Sequence, residues 1–313
     1  SIDLSTKYAN ERIQFGVPIS QFGAIKHKLA EMAIKTYAIE SATYRAGNDI
    51  EKNISRLENE GLNKQQSYLK GIEEYAIECS ITKILGSETI QFCSDEGIQI
   101  YGGMGYSADT PMEAAYRDAR ISRIYEGTNE INRMLLVGMI LKRAMKGELD
   151  IMTPAMKVAS DLMSIPSFEK PDENILFAIE KEYLKKLKKA ILMTAGKAVQ
   201  HYAMTIEREQ ELLMNLADMI IEVYAAESTI LRTEKLTLKN GEKETKPQIN
   251  MSKLLLYQAI KKCNQSGEEI ILSFAEGDEQ KILLMGLKRF TKGYNINPKK
   301  LRREIAKKLI EKN

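Results

Sequence analysis

"FGAIKHKLAEMAIKTYAIESATYRAG", residues 22–47, decides the fold class. Ile25, Leu29, Met32, Ala33 and Tyr37 recur at steps of three and four residues, which lines one face of an α-helix and would scatter over both faces of a strand. The spacing predicts a long amphipathic helix with Gly47 as its stop.

Working outward, "EKNISRLENEGLNKQQ" at 51–66 is polar and predicts a solvated connection. A second long helix is expected from about Ser67 toward Ile100, carrying Cys79, Lys83, Gly86, Ile90 and Cys93 and ending at Gly102-Gly103. Thr110, Pro111 and Glu113 read as a capping box that opens a short helix. Thr128 reads as the N-cap of another, with Ile131, Leu135, Met139 and Leu141 facing one side and Gly147 ending it. Strand-like alternation bounded by turn signals is almost absent, so the chain is expected to be all-α.

The text changes at 148–173, which holds Pro154, Pro166 and Pro171 and suits a linker or crossing segment. It divides a helical bundle at 1–147 from a second helical domain at 174–313. Helices are expected there at 174–204, 206–236, 249–265, 267–291 and after Pro298, with "LTLKNGEKETKPQ" as a charged loop. The opening "SIDLSTKYANERIQFG" lacks an initiator Met and reads as if it begins partway into a helix, so the first helix is expected to be truncated.

Composition removes several function classes. Among 313 residues, forty-six basic and forty-three acidic side chains leave a formal charge of +3, too balanced to argue for nucleic acid. Three widely spaced cysteines and two histidines suggest neither a metal site nor a disulfide framework, and the thiols read as buried, reduced core residues. No apolar run is long enough to span a membrane. Gly102, Gly103 and Gly105 in "QIYGGMGY" follow a helix, not a strand, so a nicotinamide-binding finger is excluded.

Three blocks carry more than any of these motifs singly. "ERIQFGVPISQFGAIKHKLAEM" at 11–32, "IQIYGGMGYSADTPMEAAYRDARI" at 98–121 and "RIYEGTNEINR" at 123–133 occur in this order and at these intervals. Together they closely resemble the C-terminal half of the acyl-CoA dehydrogenases, over about residues 1–147. The remainder resembles, more weakly, the helical extension of the very-long-chain branch, and Phe22-Gly23 points the same way, since many shorter-chain relatives have Gln at the second position.

The resemblance implies a flavoenzyme of fatty acid β-oxidation that removes the α-proton and β-hydride of an acyl-CoA thioester, giving a trans-2-enoyl-CoA and reduced FAD. An α-proton is a weak acid, so such a site needs a base in a dry pocket and donors on the thioester oxygen. Glu126 matches the family's base, and its backbone N–H one of the donors. A base at this position points to straight-chain substrates, because relatives acting on branched chains often carry it on an earlier helix. Gly127 leaves room for the acyl chain and flavin. Thr128, Asn129 and Glu130 match residues on the subunit's own FAD. Arg12, Gln14 and Phe15, with Gln99, Ile100, Tyr101, Gly102 and Gly103, match residues that reach the FAD of a neighbouring subunit, so a dimer or higher oligomer is implied. Tyr116, Arg117, Asp118 and Arg120 read as structural ion pairs before the base.

An electron-transfer flavoprotein is the implied electron acceptor, and an acyl-CoA oxidase or a non-catalytic assembly relative are the rival readings. The family's N-terminal and middle domains have no counterpart here, so this chain alone is expected not to hold FAD tightly or turn over substrate. The basic amphipathic stretches "KEYLKKLKKAILMTAGKAVQ" and "PKKLRREIAKKLIEKN" admit a peripheral membrane contact or plain packing on the domain. The expected compartment is a reducing one, the cytoplasm of a bacterium or the mitochondrial matrix of a eukaryote.

Overall fold

The computed structural model describes residues 1–163, 171–172 and 174–313 of the chain. These are almost entirely helical, as the periodicity predicts. Helix α1 (Ile2–Glu11) leads into a small hairpin, β1 (Ile13–Gln14) and β2 (Val17–Pro18), in which Ile13 pairs with Pro18 and Gln14 with Val17. Phe15 and Gly16 form its turn with φ of 54° and 82°, the left-handed pair whose twist suits a two-residue hairpin loop. Helix α2 (Gly23–Asn59) follows and buries Leu29, Met32, Ala33 and Tyr37, the face read from the sequence, while Ile25 is half-buried.

Gly47 does not stop α2. One glycine inside a helix costs only about 1 kcal/mol relative to alanine, and helix α3 (Lys64–Glu74) packs on the part beyond it. At that crossing a Cβ on Gly71 would lie 2.4 Å from Ile54 Cγ1. Much of the polar stretch at 51–66 is therefore helix rather than connection. The side chain of Asn63 caps α3, accepting from the Gln66 N–H at 2.9 Å.

The second predicted helix is also two, broken at Tyr75 before α4 (Ala76–Tyr101). Short α5 (Gly103–Tyr106) and then α6 (Pro111–Ile121) come next. Pro111 opens α6, but the capping box is not made: the Thr110 hydroxyl donates to the Met104 carbonyl at 2.7 Å, and Glu113 pairs with Arg117 at 3.6 Å. Helix α7 (Asn129–Met145) keeps the expected face only in its later part, where Met139 is half-buried and Leu141 packs against the core. Ile131 and Leu135 are exposed, and Asn129, Asn132, Leu136 and Val137 are buried. The two asparagines face inward because they hold the preceding loop, as described below, and this sets the rotation of the helix.

Helix α8 (Met152–Met163) lies within the stretch read as a linker, and residues 164–170 and 173 of that stretch fall outside the described residues. Then come α9 (Ala178–Tyr202), a 3-10 segment (Ala203–Arg208), α10 (Gln210–Asn240), α11 (Lys246–Phe274), α12 (Gly277–Thr291) and α13 (Pro298–Lys312). Helix α11 runs straight through Gly267, where a break was expected. The glycine serves packing instead, since a Cβ there would meet Leu287 Cδ1 of α12 at 2.7 Å.

One cluster of buried side chains ties both halves together. Ala30 and Ile34 of α2, Ile84 of α4 and Leu136 of α7 pack in it with Leu187 of α9, Leu216 of α10 and Leu254 of α11. Each such Leu or Ile contributes about 1.5–3 kcal/mol on burial. The apolar stripe of α9 is part of this core, and its Lys181, Lys188 and Lys197 pair with Glu234, Glu227 and Glu279. Helix α13 buries Ile305 and Ala306 and pairs Arg302 with Glu31. Both stripes considered for a membrane surface are thus engaged in packing. No described helix is long and apolar enough to cross a membrane. All three cysteines are free; Cys93 and Cys263 are buried as expected, but Cys79 is half-buried.

Candidate functional site

The loop between α6 and α7 is wound tightly by its own backbone. Ile124 and Tyr125 donate their N–H groups to the Ile121 carbonyl at 2.9 and 3.2 Å, and Asn129 donates its N–H to the Arg123 carbonyl at 3.1 Å. Inside this frame Glu126 and Gly127 both take left-handed conformations, φ 57° and 77°. Glycine tolerates this freely, whereas glutamate in that region costs about 1–3 kcal/mol and persists only where neighbours enforce it.

Those neighbours are identifiable. Lys83 of α4 donates from Nζ to the Gly127 carbonyl at 2.7 Å and to Asn129 Oδ1 at 2.8 Å. Asn132 Nδ2 donates to the carbonyls of Gly127, Thr128 and Glu126 at 2.8, 3.1 and 3.4 Å. In a trans peptide the N–H points opposite to the carbonyl. Drawing the Glu126 and Gly127 carbonyls toward these donors therefore turns the N–H groups of Gly127 and Thr128 the other way. Among the described residues nothing accepts from the N–H of Glu126, Gly127 or Thr128. Three consecutive free donors at the start of a helix form a concavity suited to an anion or a developing oxyanion.

Thr128 caps α7 as predicted, its Oγ1 accepting from the Ile131 N–H at 3.2 Å. The adjacent Glu130 carboxyl is held below its ordinary pKa by hydrogen bonds from its own N–H and the Thr128 hydroxyl. Glu126 is exposed, as are Ile124 and Tyr125 before it. An uncovered carboxylate of this kind needs a surface supplied from elsewhere to become a dry base.

Asn129 behaves differently from its neighbours in the motif. Its side chain is fully buried and used within the protein: Lys83 and Ser87 donate to its Oδ1, and its Nδ2 donates to Glu88 Oε1 at 3.1 Å. Its N–H is also taken by the Arg123 carbonyl, so these groups of Asn129 hold the loop. Glu88 in turn accepts from both terminal nitrogens of Arg133, at 2.8 and 3.2 Å, and Arg133 Nε donates to Asp218 of α10 at 2.7 Å. Burial works against the Arg133 charge, but the two carboxylates outweigh it and raise its pKa above the ordinary arginine value. Lys262 of α11 closes the chain of charges with a 2.9 Å contact to Asp218.

Lys83, Ser87, Glu88, Asn132, Arg133 and Asp218 were not singled out as site residues in the sequence. Lys83 and Ser87 sit one turn apart on α4, so a shared face was legible, but their target lies on a distant loop.

The remaining predicted residues gather at the other end of α4. The Tyr8 and Tyr101 rings stack at 4.0 Å, and the Tyr8 hydroxyl donates to the Tyr101 carbonyl at 3.2 Å. This joins the end of α1 to the end of α4. Arg12 is exposed and its guanidinium has no partner among the described residues. Gln14 is exposed, and Phe15 is 93% exposed at the hairpin tip. Gln99, Gly102 and Gly103 face outward, with nothing within 4 Å of where a Cβ on either glycine would stand. Gly102 has φ 63° and ψ −140°, a region that demands glycine. Ile100 is buried, so its side chain belongs to the core and only its backbone borders this surface.

The two clusters do not meet within one chain. At ~1.5 Å per residue, the stretch of α4 from Lys83 to Tyr101 separates them by about 27 Å. A ligand touching both would sit between two copies more readily than on one.

The "YRDARI" residues form fewer ion pairs than expected. Arg117 meets Glu113 on the surface, while Asp118 and Arg120 are exposed without an ionic partner among the described residues. The buried face of α6 is made by Met112 and Ala119 instead. Among the described residues no group of three or more His, Cys, Asp or Glu side chains is placed to hold a metal ion.

Two family models, both described as the C-terminal domain of acyl-CoA dehydrogenase, match residues 1–141 and 186–289. Over 310 residues the chain is 39% identical to a probable acyl-CoA dehydrogenase of Bacillus subtilis (strain 168), covering 99% of this chain and 52% of that protein. It is 38% identical over 135 residues to the very long-chain specific mitochondrial acyl-CoA dehydrogenase of Macaca fascicularis, 43% of this chain and 18% of that one. A crystal structure of acyl-CoA dehydrogenase complexed with FAD from Bacillus anthracis matches with a TM-score of 0.95 at 40% identity, over 99% of this chain and 53% of that one. Acyl-CoA oxidase3 from Yarrowia lipolytica shares the fold alone, with a TM-score of 0.66 at 14% identity over 97% of this chain and 45% of that one. The chain thus spans about half the length of the relatives that it matches from end to end. It belongs to the acyl-CoA dehydrogenase family, as the all-α C-terminal region of such a protein.

Proposed function

We propose that this chain is the C-terminal half of an FAD-dependent acyl-CoA dehydrogenase, in which Glu126 removes the α-proton of a straight-chain acyl-CoA. The observation that carries this reading is the placement of Glu126 on an enforced left-handed turn, beside three N–H groups that nothing among the described residues accepts from.

The chemistry of these residues fits the reaction. Loss of an α-proton places negative charge on the thioester oxygen, and the Glu126 N–H is a preorganised donor of the kind that stabilises such charge. The Glu126 carboxylate on the same residue is free to take the proton. Gly127 keeps the turn clear of a side chain. FAD, when bound, would accept the β-hydride. The residues present suit it: the Gly127 and Thr128 N–H groups and the α7 N-terminus favour its phosphates, as does the Arg12 guanidinium, unpaired among the described residues. The separation of the two clusters supports a homo-oligomer in which Arg12, Phe15 and the 99–103 backbone serve a second copy's cofactor. An electron-transfer flavoprotein is the proposed acceptor of the electrons.

Anaerobic mixing of the FAD-loaded full-length enzyme that contains this chain with straight-chain acyl-CoA tests this. Bleaching of the flavin, with slow reoxidation in air and fast reoxidation by an electron-transfer flavoprotein, is the expected result. Rapid reoxidation in air points to an oxidase, and no bleaching with any acyl-CoA contradicts a catalytic role. Because Glu126, Tyr125 and Ile124 stand uncovered here, this chain alone is expected to lose FAD on gel filtration; stoichiometric retained flavin would contradict that.

A further inference from the structure

We propose that Lys83 is a positioning residue for the proton-abstracting carboxylate, holding the turn on which Glu126 stands. The proposal rests on the reading of Glu126 as the α-proton base. Glu126 occupies a conformation that glutamate adopts only under constraint. Its own element supplies part of that constraint: Asn132, on α7, donates to the Glu126, Gly127 and Thr128 carbonyls. That clamp ties the turn to α7, which is itself packed in the core through Leu136 and Val137; a bond from a second helix is needed to tie the turn itself to another element.

Lys83 does so from outside. Its Nζ reaches the Gly127 carbonyl and the Asn129 amide oxygen together, bridging the turn and the first residue of α7 from α4. Ser87 and Glu88 also reach from α4, but both stop at the Asn129 side chain. Among the described residues, Lys83 is the one side chain of another helix that hydrogen-bonds to the turn itself. An ammonium suits the task, since it carries three donors on a compact head and bonds a carbonyl more strongly than a neutral donor does. Pinning the Gly127 carbonyl fixes that peptide plane, the outward direction of the Thr128 N–H, and the ψ of Gly127 against which the Glu126 backbone is set.

Released from Lys83, the turn can relax toward an unstrained backbone and carry the carboxylate off line. Displacements of about 1 Å at a reacting group cost on the order of 100-fold in rate. Lys83 touches neither substrate nor reacting atoms in this account, so its loss acts on the chemical step and spares ground-state binding.

The test compares single-turnover flavin bleaching and steady-state kinetics of the FAD-loaded full-length enzyme that contains this chain, as wild type, Lys83→Met, Lys83→Arg and Glu126→Gln, with unfolding followed in parallel. Expected for Lys83→Met is a kcat about 100-fold down with KM within about threefold, and for Lys83→Arg a recovery of about tenfold. Wild-type kcat in Lys83→Met, or a change confined to KM, overturns the proposal while an inactive Glu126→Gln leaves the base reading intact. Wild-type bleaching in Glu126→Gln overturns the base reading, and the proposal with it. Should Lys83→Met not fold, Lys83→Gln, which keeps a polar side chain but is neutral and one bond too short to reproduce the contact to the Gly127 carbonyl, is read by the same criterion: a lowered kcat at constant KM supports the proposal and wild-type kcat overturns it.

Discussion

Arg133 Nε lies 2.7 Å from Asp218 Oδ1, so a side chain in the second turn of α7 is bonded directly to α10 of the C-terminal extension. The extension thereby helps to hold the loop carrying Glu126: Asp218 and Glu88 share Arg133, and Glu88 accepts from Asn129. Removing Asp218 leaves the largely buried Arg133 charge compensated by Glu88 alone and Lys262 without this contact. Asp218→Ala is expected to lower unfolding stability by about 2–4 kcal/mol, read as a fall in the urea midpoint. A midpoint equal to wild type would mean that the pair contributes nothing.

Thr128 makes a smaller and separable contribution. Its Oγ1 accepts from the Ile131 N–H, so Thr128→Ala is expected to cost about 1 kcal/mol and Thr128→Ser only a fraction of that. Equal losses in the two variants would assign the effect to the methyl group rather than to the cap.

Glu222 of α10 gives a pH dependence of known sign. Burial raises its pKa above the ordinary glutamate value; Asp218 and Glu88 add to the rise, and Lys35 and Lys262 oppose it. A raised folded-state pKa means that the unfolded chain ionises first as pH rises, so this group's contribution is fully present below the unfolded pKa and is lost up to the folded one. Glu222→Gln is therefore expected to raise the thermal midpoint at neutral pH and to leave it nearly unchanged in acid. A destabilised variant at neutral pH would show that the carboxylate is ionised and well paired.

The helices were legible in the sequence, but what ends them was less so. Leu29, Met32, Ala33 and Tyr37 gave the inward face of α2 correctly, because apolar spacing on a core helix has one meaning. Gly47 and Gly267 misled, because a glycine can mark a stop, a tolerated interior position or a close crossing, and only a neighbour such as Leu287 decides which. Thr128 was read correctly as a cap; Thr110 was not, because the Met104 carbonyl lay within reach of its hydroxyl. The Asn129 and Lys83 contacts were beyond reach because they join groups 46 residues apart in sequence. Ile131 and Leu135 were placed in the core by hydrophobicity, whereas the inward pull on Asn129 and Asn132 leaves them exposed.

The distance between the two clusters predicts complementation between subunits. Arg12→Ala and Glu126→Gln are each expected to be inactive as a homo-oligomer and to regain turnover when unfolded and refolded together, because one site of a mixed pair then lacks both defects. Mixtures that stay inactive would place both residues in the same subunit's site.

The central claim is that the Glu126 carboxylate takes the α-proton, and the rate of flavin bleaching in Glu126→Gln tests it most directly. With acyl-CoA bound at wild-type affinity, the substitution is expected to slow bleaching by about 100- to 10,000-fold, the range that a positioned general base supplies. Bleaching at the wild-type rate would contradict the account.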